Sequence, residues 1–197
     1  VGYGRKIDKW NINTHIGMEY INYGTFKYAD ILGNQDGTTF NAAETALVLG
    51  ASKMVAERIS VGVNIKGVFS SLERYNSTGL VADLGVNYFR DSSDFVLSFV
   101  IKNIGTELTT YAGTRFGTPL DIQIGFSKRL AHLPFRFSII AHQLQNGNIR
   151  YDDPNLKQTT DLFGEQIKEN NFKNTVDNAF RHLVFNGEFL LGKHENL

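Results

Sequence analysis

The chain has 197 residues, and its 20 basic and 20 acidic side chains give a formal net charge of zero, so the charge gives no indication of nucleic acid or an anionic surface as a partner. Cysteine is absent, so disulfides, thiol chemistry and cysteine-ligated metals are excluded. Glycine is frequent at 19 residues, proline is rare at 3, and aromatic residues make up 12%, a composition typical of β-structure with tight turns.

The first predicted strand begins near Trp10, after an irregular, glycine-containing start over residues 1–9. From there apolar and polar residues alternate, and side chains on a β-strand alternate between its two faces. We predict one long strand over residues 12–29, with a β-bulge at Gly24. The apolar face of this region carries Trp10, Ile12, Ile16, Met18 and Tyr20.

The clearest alternation lies in two predicted strands, residues 58–72 and 78–90. Their apolar faces carry Ile59, Val61, Val63 and Ile65, and then Leu80, Ala82, Leu84, Val86 and Tyr88. Their opposite faces carry Ser60, Gly62, Asn64 and Lys66, and then Val81, Asp83, Gly85 and Asn87. Each strand therefore has one apolar face and one polar or glycine-rich face.

The remaining predicted strands flank this pair. They cover residues 45–55, which alternate less regularly, and residues 94–105, 119–130, 135–145 and 181–193. The segment 146–180 has no strand alternation, but apolar residues in its second half fall near helical spacings, which predicts short amphipathic helices over 161–180.

The predicted connections alternate in length. Those at 32–44, 106–118 and 146–180 are long, those at 56–57, 91–93 and 131–134 are short, and the one at 73–77 is intermediate. Outer-membrane barrels combine short turns on the periplasmic side with long loops on the outside. The alternation therefore favours a barrel over a soluble sandwich, which has no reason to sort its loops in this way.

These patterns predict an all-β fold, an antiparallel transmembrane β-barrel whose apolar side meets lipid and whose polar side lines a lumen. About eight strands are predicted, and we expect a larger barrel that lacks strands at both ends. Residues 1–197 then form a single β-barrel domain, incomplete at both ends, with the loop insertion 146–180. No run of about 18 apolar residues occurs, so no membrane-spanning helix is predicted. The first residues, from Val1, show no charged start followed by an apolar core, so no secretory signal is visible. We expect a processed chain or an internal fragment, and the abrupt ending at Leu197 favours a fragment.

Four segments carry a family resemblance. They read ERISVGVNIKGVFSSLERYNSTGLVADLGVNYF, FVLSFVIKNIGTEL, PLDIQIGFSKRLAHLPFRFSI and RHLVFNGEFLLGKHENL. They resemble the PorQ proteins of the type IX secretion system, which are related to PorV and more remotely to FadL-like outer-membrane barrels. The resemblance extends from about residue 16 to the end, and its most specific stretches are 62–66, 83–88, 102–105 and 127–130.

The resemblance implies a FadL-like barrel of about fourteen strands in the outer membrane of Bacteroidota-type bacteria. It also implies a non-enzymatic role in protein secretion, in which the barrel anchors a surface partner, PorZ, of the machinery that attaches cargo to lipopolysaccharide. The implied partners are outer-membrane lipid and PorZ, with PorU and PorV as further candidates, and no nucleic acid. The family continues beyond the residue that matches Leu197, so the contents of the lumen stay open.

Two other functions remain open. A FadL-like transporter of hydrophobic small molecules requires an apolar cavity inside the barrel, lined by residues such as Phe and Leu. A soluble β-sandwich or lipocalin-like binder requires a packed core on the face that holds Ile59 and Ile65.

Several polar residues are candidates for a site. His15 and Glu19 share a strand face and are candidates to join Lys66, Asp83 or Lys102 in a lumen network that forms a polar path or ligand site. We favour the simpler interpretation that these charges pair and are hydrated, as is usual inside barrels. The loop insertion 146–180 is the best candidate for partner contact, with a plug over the barrel mouth as the alternative.

Metal and catalytic patterns are weak. His132, His142, His182 and His194 lack metal-ligand spacing, and Asp152, Asp153 and Asp161 lack the regular spacing of a calcium loop. No serine lies in a nucleophile elbow, no carboxylates form a catalytic pair, and no glycine-rich segment forms a phosphate loop. The sequence therefore predicts no enzyme, no catalytic residue, no metal site and no cofactor.

Overall fold

The chain folds into nine antiparallel strands that are hydrogen-bonded in chain order, as seen in a computed structural model that describes residues 1–90, 94–151 and 171–190. The strands are β1 (Gly2–Ile7), β2 (Ile12–Lys27), β3 (Thr39–Ala56), β4 (Ile59–Leu72), β5 (Tyr75–Arg90), β6 (Phe95–Thr109), β7 (Asp121–Arg129), β8 (Phe135–Ala141) and β9 (Leu183–Phe189). The prediction of an all-β antiparallel fold is confirmed. The sheet is not closed across the described residues, so a barrel stays a prediction.

Three short helices accompany the strands in the described ranges. A 3-10 helix, Asp8–Trp10, joins β1 to β2, and a second, Tyr111–Gly113, follows β6. The α-helix α1, Asn171–Arg181, precedes β9 and confirms the predicted helical character of this part of the insertion. The rest of the predicted helical region falls in residues 152–170, and the turn predicted at 91–93 also lies outside the described residues.

The chain divides into two compact units. The first comprises Val1–Phe89 and Phe99–Leu120, and the second comprises Arg90–Ser98 and Asp121–Leu197. The first unit contains the long strands β2, β3 and β4, of 16, 18 and 14 residues. The second contains the shorter strands β7, β8 and β9, of 9, 7 and 7 residues.

Strand β1, which is additional to the eight predicted strands, lies where the sequence predicted irregular chain. It pairs with the start of β2 from Gly2 opposite Gly17 to Ile7 opposite Ile12. Neither of its faces is consistently apolar, so the period-two pattern misses it. Backbone hydrogen bonds to β2 define the strand instead, because every strand exposes such donors and acceptors along its edges.

Strand ends also differ from the prediction. The predicted loop 32–44 ends earlier, because β3 begins at Thr39, and the link 73–77 is only a turn, because β5 begins at Tyr75. Likewise β6 runs to Thr109, into the predicted loop 106–118. These ends are rich in Asn, Ser, Thr and Gly, which favour turns locally, but pairing with neighbouring strands outweighs that preference.

The β-bulge predicted at Gly24 is confirmed. The register between β2 and β3 shifts between Asn22 and Gly24, and Gly24 has a φ of 90°. The Asn22 side chain accepts a hydrogen bond of 2.8 Å from the Gly24 backbone N–H. A positive φ is readily adopted only by glycine, so the sequence specifies the position of the bulge.

The long strands of the first unit expose the apolar residues of one face. Ile16, Leu49 and Ile65 lie side by side on β2, β3 and β4, and each is about half exposed, at 54%, 57% and 51%. Of the described apolar residues only Ala42 and Val81 are buried. The face that holds Ile65 therefore has no packed core in the described part of the chain.

Candidate functional site

The pairing register brings the predicted polar residues together on one face of the first unit. Two neighbouring rows cross β2, β3, β4 and β5: His15, Gly50, Asn64 and Asp83 form one, and Gly17, Val48, Lys66 and Val81 form the next. Because strands β2 to β5 are in register, residues far apart in sequence become neighbours at the spacing of adjacent strands, roughly 5 Å.

Lys66 and Asp83 form an ion pair at the centre of this face. The Lys66 Nζ lies 2.8 Å from Asp83 Oδ1, and the two side chains are only 18% and 13% exposed. Lys66 Nζ also donates a hydrogen bond of 2.8 Å to the side-chain oxygen of Asn103. The Asn103 backbone N–H completes the network by donating to Asp83 Oδ1 over 2.9 Å.

Asn103 is the one member of this network that the sequence did not single out. It has a φ of 60°, in the left-handed region that asparagine tolerates better than most residues. Its side-chain N–H donates a hydrogen bond of 3.0 Å to the Pro119 carbonyl, which links β6 to the loop that follows it. No local sequence pattern marks this role, because it depends on contacts with Lys66 on β4 and Asp83 on β5.

His15 occupies the space above Gly50. A Cβ atom at Gly50 would overlap the His15 imidazole ring and the Asn64 side-chain oxygen. Glycine at this position therefore lets the imidazole and the amide lie against the backbone of β3. The sequence predicted that His15 lies on the polar face, but not that Gly50 makes room for it.

His15, Asn64, Asp83 and Lys102 line one open cavity of about 350 Å³ on this face. Lys102 is half-buried there and forms no ion pair with the described residues. Of the two candidates for a polar network, His15 therefore shares a cavity with Asp83 and Lys102. Glu19 lies outside this cavity and forms no hydrogen bond or ion pair within residues 1–90, 94–151 and 171–190.

This arrangement can hold water and bind an anion weakly. Lys66 and Asp83 neutralise each other, so Lys102 supplies the positive charge that is left in the cavity. Among the described residues no three His, Asp or Glu side chains are grouped so that they could hold a metal ion. The favoured interpretation, paired and hydrated charges, agrees with the geometry of Lys66 and Asp83.

Two histidines of the second unit, His142 and His182, have structural contacts. The His182 Nδ1 lies 2.8 Å from the His142 carbonyl oxygen, and the two ring centroids are 6.5 Å apart. His132 lies in the turn between β7 and β8. His194 and the three aspartates Asp152, Asp153 and Asp161 lie outside the described residues.

The end of the loop insertion is fixed to its beginning. The Asn178 side chain on α1 accepts a hydrogen bond from the Ile149 backbone N–H over 2.9 Å and donates one to the Gly147 carbonyl over 2.8 Å. Asp177 lies 3.5 Å from the Arg150 guanidinium. The apolar residues Val176 and Phe180 of α1 are 37% and 62% exposed.

The comparisons with known proteins leave the family open. No model of a known protein family matches the chain, and no curated protein matches it. The resemblance to PorQ proteins therefore stays a prediction. None of the helices in the described residues has the length and apolar character needed to cross a membrane.

Proposed function

We propose that this chain is part of an outer-membrane β-barrel that anchors a PorZ-like surface protein of the type IX secretion system and has no enzymatic activity. One observation carries the membrane part of the proposal, namely the reversed exposure of the two faces of the long strands. Ile65 is 51% exposed, whereas the side chain of its neighbour Lys66 is 18% exposed. Lipid would cover the apolar rows and water would fill the polar side, as in membrane barrels.

The membrane proposal is tested by fractionation of bacteria that express the full chain. We expect it in the outer-membrane fraction, where it resists extraction with alkaline carbonate and dissolves only in detergent. Recovery of folded chain in buffer without detergent would contradict the membrane proposal and favour a soluble binder.

The surface-anchor part is supported by α1. Its hydrogen bonds to residues 147 and 149 hold it in place, and it presents Val176 and Phe180 to solvent. Exposed apolar side chains on a fixed element are typical of a partner surface. We infer that the insertion contacts the partner, rather than acting only as a plug.

Affinity purification from detergent-solubilised membranes of a host with a type IX system tests the anchor role. We expect a PorZ-like protein to be recovered with the chain, and Phe180→Ser to reduce that recovery by about tenfold, the usual effect of losing a central apolar contact. Leu133→Ser is the matched control, because Leu133 is 58% exposed in the turn between β7 and β8. Recovery of no secretion-system component from correctly inserted protein would count against the anchor.

A second function, the transport of hydrophobic small molecules, is favoured by one observation. Phe26, Phe40 and Leu72 line a cavity of about 390 Å³ on the polar face of the first unit. However, the Glu44 carboxylate also lines it and would repel a fatty-acid head group. Uptake of a radiolabelled fatty acid by cells that express the chain, above that of cells without it, would support transport over anchoring.

A further inference from the structure

The cavity lined by Phe26, Phe40 and Leu72 also contains Glu44 and two tyrosines, which the transport function does not use. Aromatic rings form much of its wall, from Tyr23 and Phe26 on β2, Phe40 on β3 and Tyr111 in the 3-10 helix after β6. Phe26 and Phe40 stack with their ring centroids 5.3 Å apart. Its volume of about 390 Å³ falls within the range of ligand sites, roughly 300–1,000 Å³.

Hydroxyl groups orient the Glu44 carboxylate inside this cavity. The Tyr23 hydroxyl donates a hydrogen bond of 3.1 Å to Glu44 Oε2, and the Ser70 hydroxyl donates one of 3.1 Å to Oε1. The Tyr111 hydroxyl in turn donates to Ser70 Oγ. The Glu44 carboxylate is therefore held by neutral donors on both of its oxygens.

The charge of Glu44 is left without a cation. Glu44 is half-buried, and no Lys, Arg or His side chain pairs with it within the described ranges. A carboxylate has about four acceptor positions, and the two hydroxyls occupy only two of them. A charged donor that entered the cavity would find acceptors free and already oriented, without a competing ion pair.

From this geometry we propose that the cavity binds a primary alkylammonium group, of the kind that a lysine side chain carries. The ammonium N–H groups donate to the free acceptor positions of Glu44, and such charge-assisted hydrogen bonds are about twice as strong as neutral ones. The aromatic rings attract the positive charge and pack against the alkyl chain. A quaternary ammonium ion lacks N–H donors, and a carboxylate ligand would be repelled, so both bind more weakly.

Titration with n-butylammonium chloride tests this assignment on the full chain in lipid nanodiscs. The reporter is the ¹³C-labelled methyl group of Ala42, because Ala42 is buried and lines the cavity. We expect a saturable shift, with binding about tenfold tighter than that of n-butanol, which has the same chain without the charge. Tetramethylammonium is expected to bind more weakly than n-butylammonium. Equal affinity for n-butylammonium and n-butanol would overturn the proposal.

Two variants separate a binding role of Glu44 from a structural one. Glu44→Gln keeps the size of the side chain and removes its charge, so we expect n-butylammonium to lose its advantage over n-butanol, while the binding of n-butanol is unchanged. Glu19→Gln is the control, because Glu19 lies on β2, on the same face of the sheet as Glu44 but outside the cavity. This variant should bind n-butylammonium like the wild type. The same discrimination in wild type and Glu44→Gln would overturn the proposal.

One further probe distinguishes the source of the amine. Nα-acetyl-lysine amide carries the same butylammonium group on a peptide backbone. Binding of this probe as tight as that of n-butylammonium supports a lysine of a protein partner, and much weaker binding supports a free small amine. If the cavity binds no amine, the membrane-anchor proposal is unaffected, because that proposal depends on the opposite face of the strands and on α1.

Discussion

The two faces of the long strands in the first unit use their side chains in opposite ways. On one face Leu49 and Ile65 lie side by side and are about half exposed, and on the other Lys66 and Asp83 form a shielded ion pair. A water-soluble protein has the reverse distribution. The difference indicates that hydrogen bonds and ion pairs stabilise the polar face from within, whereas the apolar face depends on what surrounds the protein.

The largest effect is expected from a charge on the apolar face. Ile65→Lys should destabilise the chain in lipid by about 2–4 kcal/mol, the cost of a basic residue near the middle of a membrane barrel's lipid face. Unfolding by urea in liposomes, followed by Trp10 fluorescence, measures this change. Asn64→Lys is the matched control, since Asn64 is the neighbouring residue on the polar face, and it should cost far less. Equal costs for the two variants would remove the distinction between the faces.

The next effect tests the ion pair of the polar face. Lys66→Met leaves Asp83 partly buried without its cation, and should lower the free energy of unfolding by about 1–3 kcal/mol. The same urea titration measures it, with Lys6→Met as control, because Lys6 is an exposed lysine on the polar face at the end of β1. Adding Asp83→Leu to Lys66→Met should restore much of the loss, since replacing both partners removes the unpaired charge. A Lys66→Met protein as stable as the wild type would show that the pair contributes nothing.

A smaller effect is expected from glycines on the two faces. In Gly50→Ala the new methyl group displaces the His15 ring, at a cost of about 1 kcal/mol, because His15 is exposed and able to rotate away. In Gly67→Ala the nearest atom is Phe69 Cε2 at 3.6 Å, an ordinary contact, so this control should be close to neutral. The NMR signal of the His15 ring should shift in Gly50→Ala only. An unchanged His15 signal in Gly50→Ala would contradict the packing of the ring above Gly50.

The smallest effect is expected in the loop between β2 and β3. This loop belongs to neither face of the strands, so it serves as a reference for the effects on the two faces. The Asn34 side chain, followed by the backbone N–H groups of Asn34 and Leu32, donates hydrogen bonds to Asp30 and lowers the pKa of Asp30 below its ordinary value of 3.8. A lowered folded-state pKa contributes stability above about pH 3.8, and this contribution is lost as the pH falls through the folded-state value.

Amide hydrogen exchange of Leu32 and Asn34 measures this loop directly. We expect protection, corrected for the intrinsic pH dependence of exchange, to be constant near neutral pH and to fall below about pH 3.8. Asp30→Asn should abolish that dependence, because the asparagine does not titrate, while the two faces should respond identically in both proteins. A pH dependence that survives in Asp30→Asn would assign it to another group.

The sequence predicts the faces of the strands better than their ends. Alternation with a period of two places Ile65 and Lys66 on opposite faces whatever the neighbouring strands are, because it follows from the geometry of a single strand. The start of β3 at Thr39 and the existence of β1 depend on pairing with other strands, so local residue preferences do not determine them.

The same distinction applies to the site. The sequence places Lys66 and Asp83 on the polar faces of two consecutive strands, and the pairing register of those strands brings the two side chains together. Asn103 and the cavity around Glu44 involve a left-handed backbone and the 3-10 helix that contains Tyr111. Such features arise only when distant segments come together, and their side chains carry no pattern that distinguishes them from ordinary strand and loop residues.

The chain-order pairing of β1 to β5 has a consequence for how the protein is made. Among the described strands, each of these five is hydrogen-bonded to its neighbours in sequence. Turns of only two residues, 57–58 and 73–74, close the hairpins of β3 with β4 and β4 with β5. Closing such short loops costs little chain entropy. The sheet can therefore assemble one hairpin at a time. Few backbone N–H and C=O groups then lack hydrogen-bond partners while the growing sheet enters its final environment.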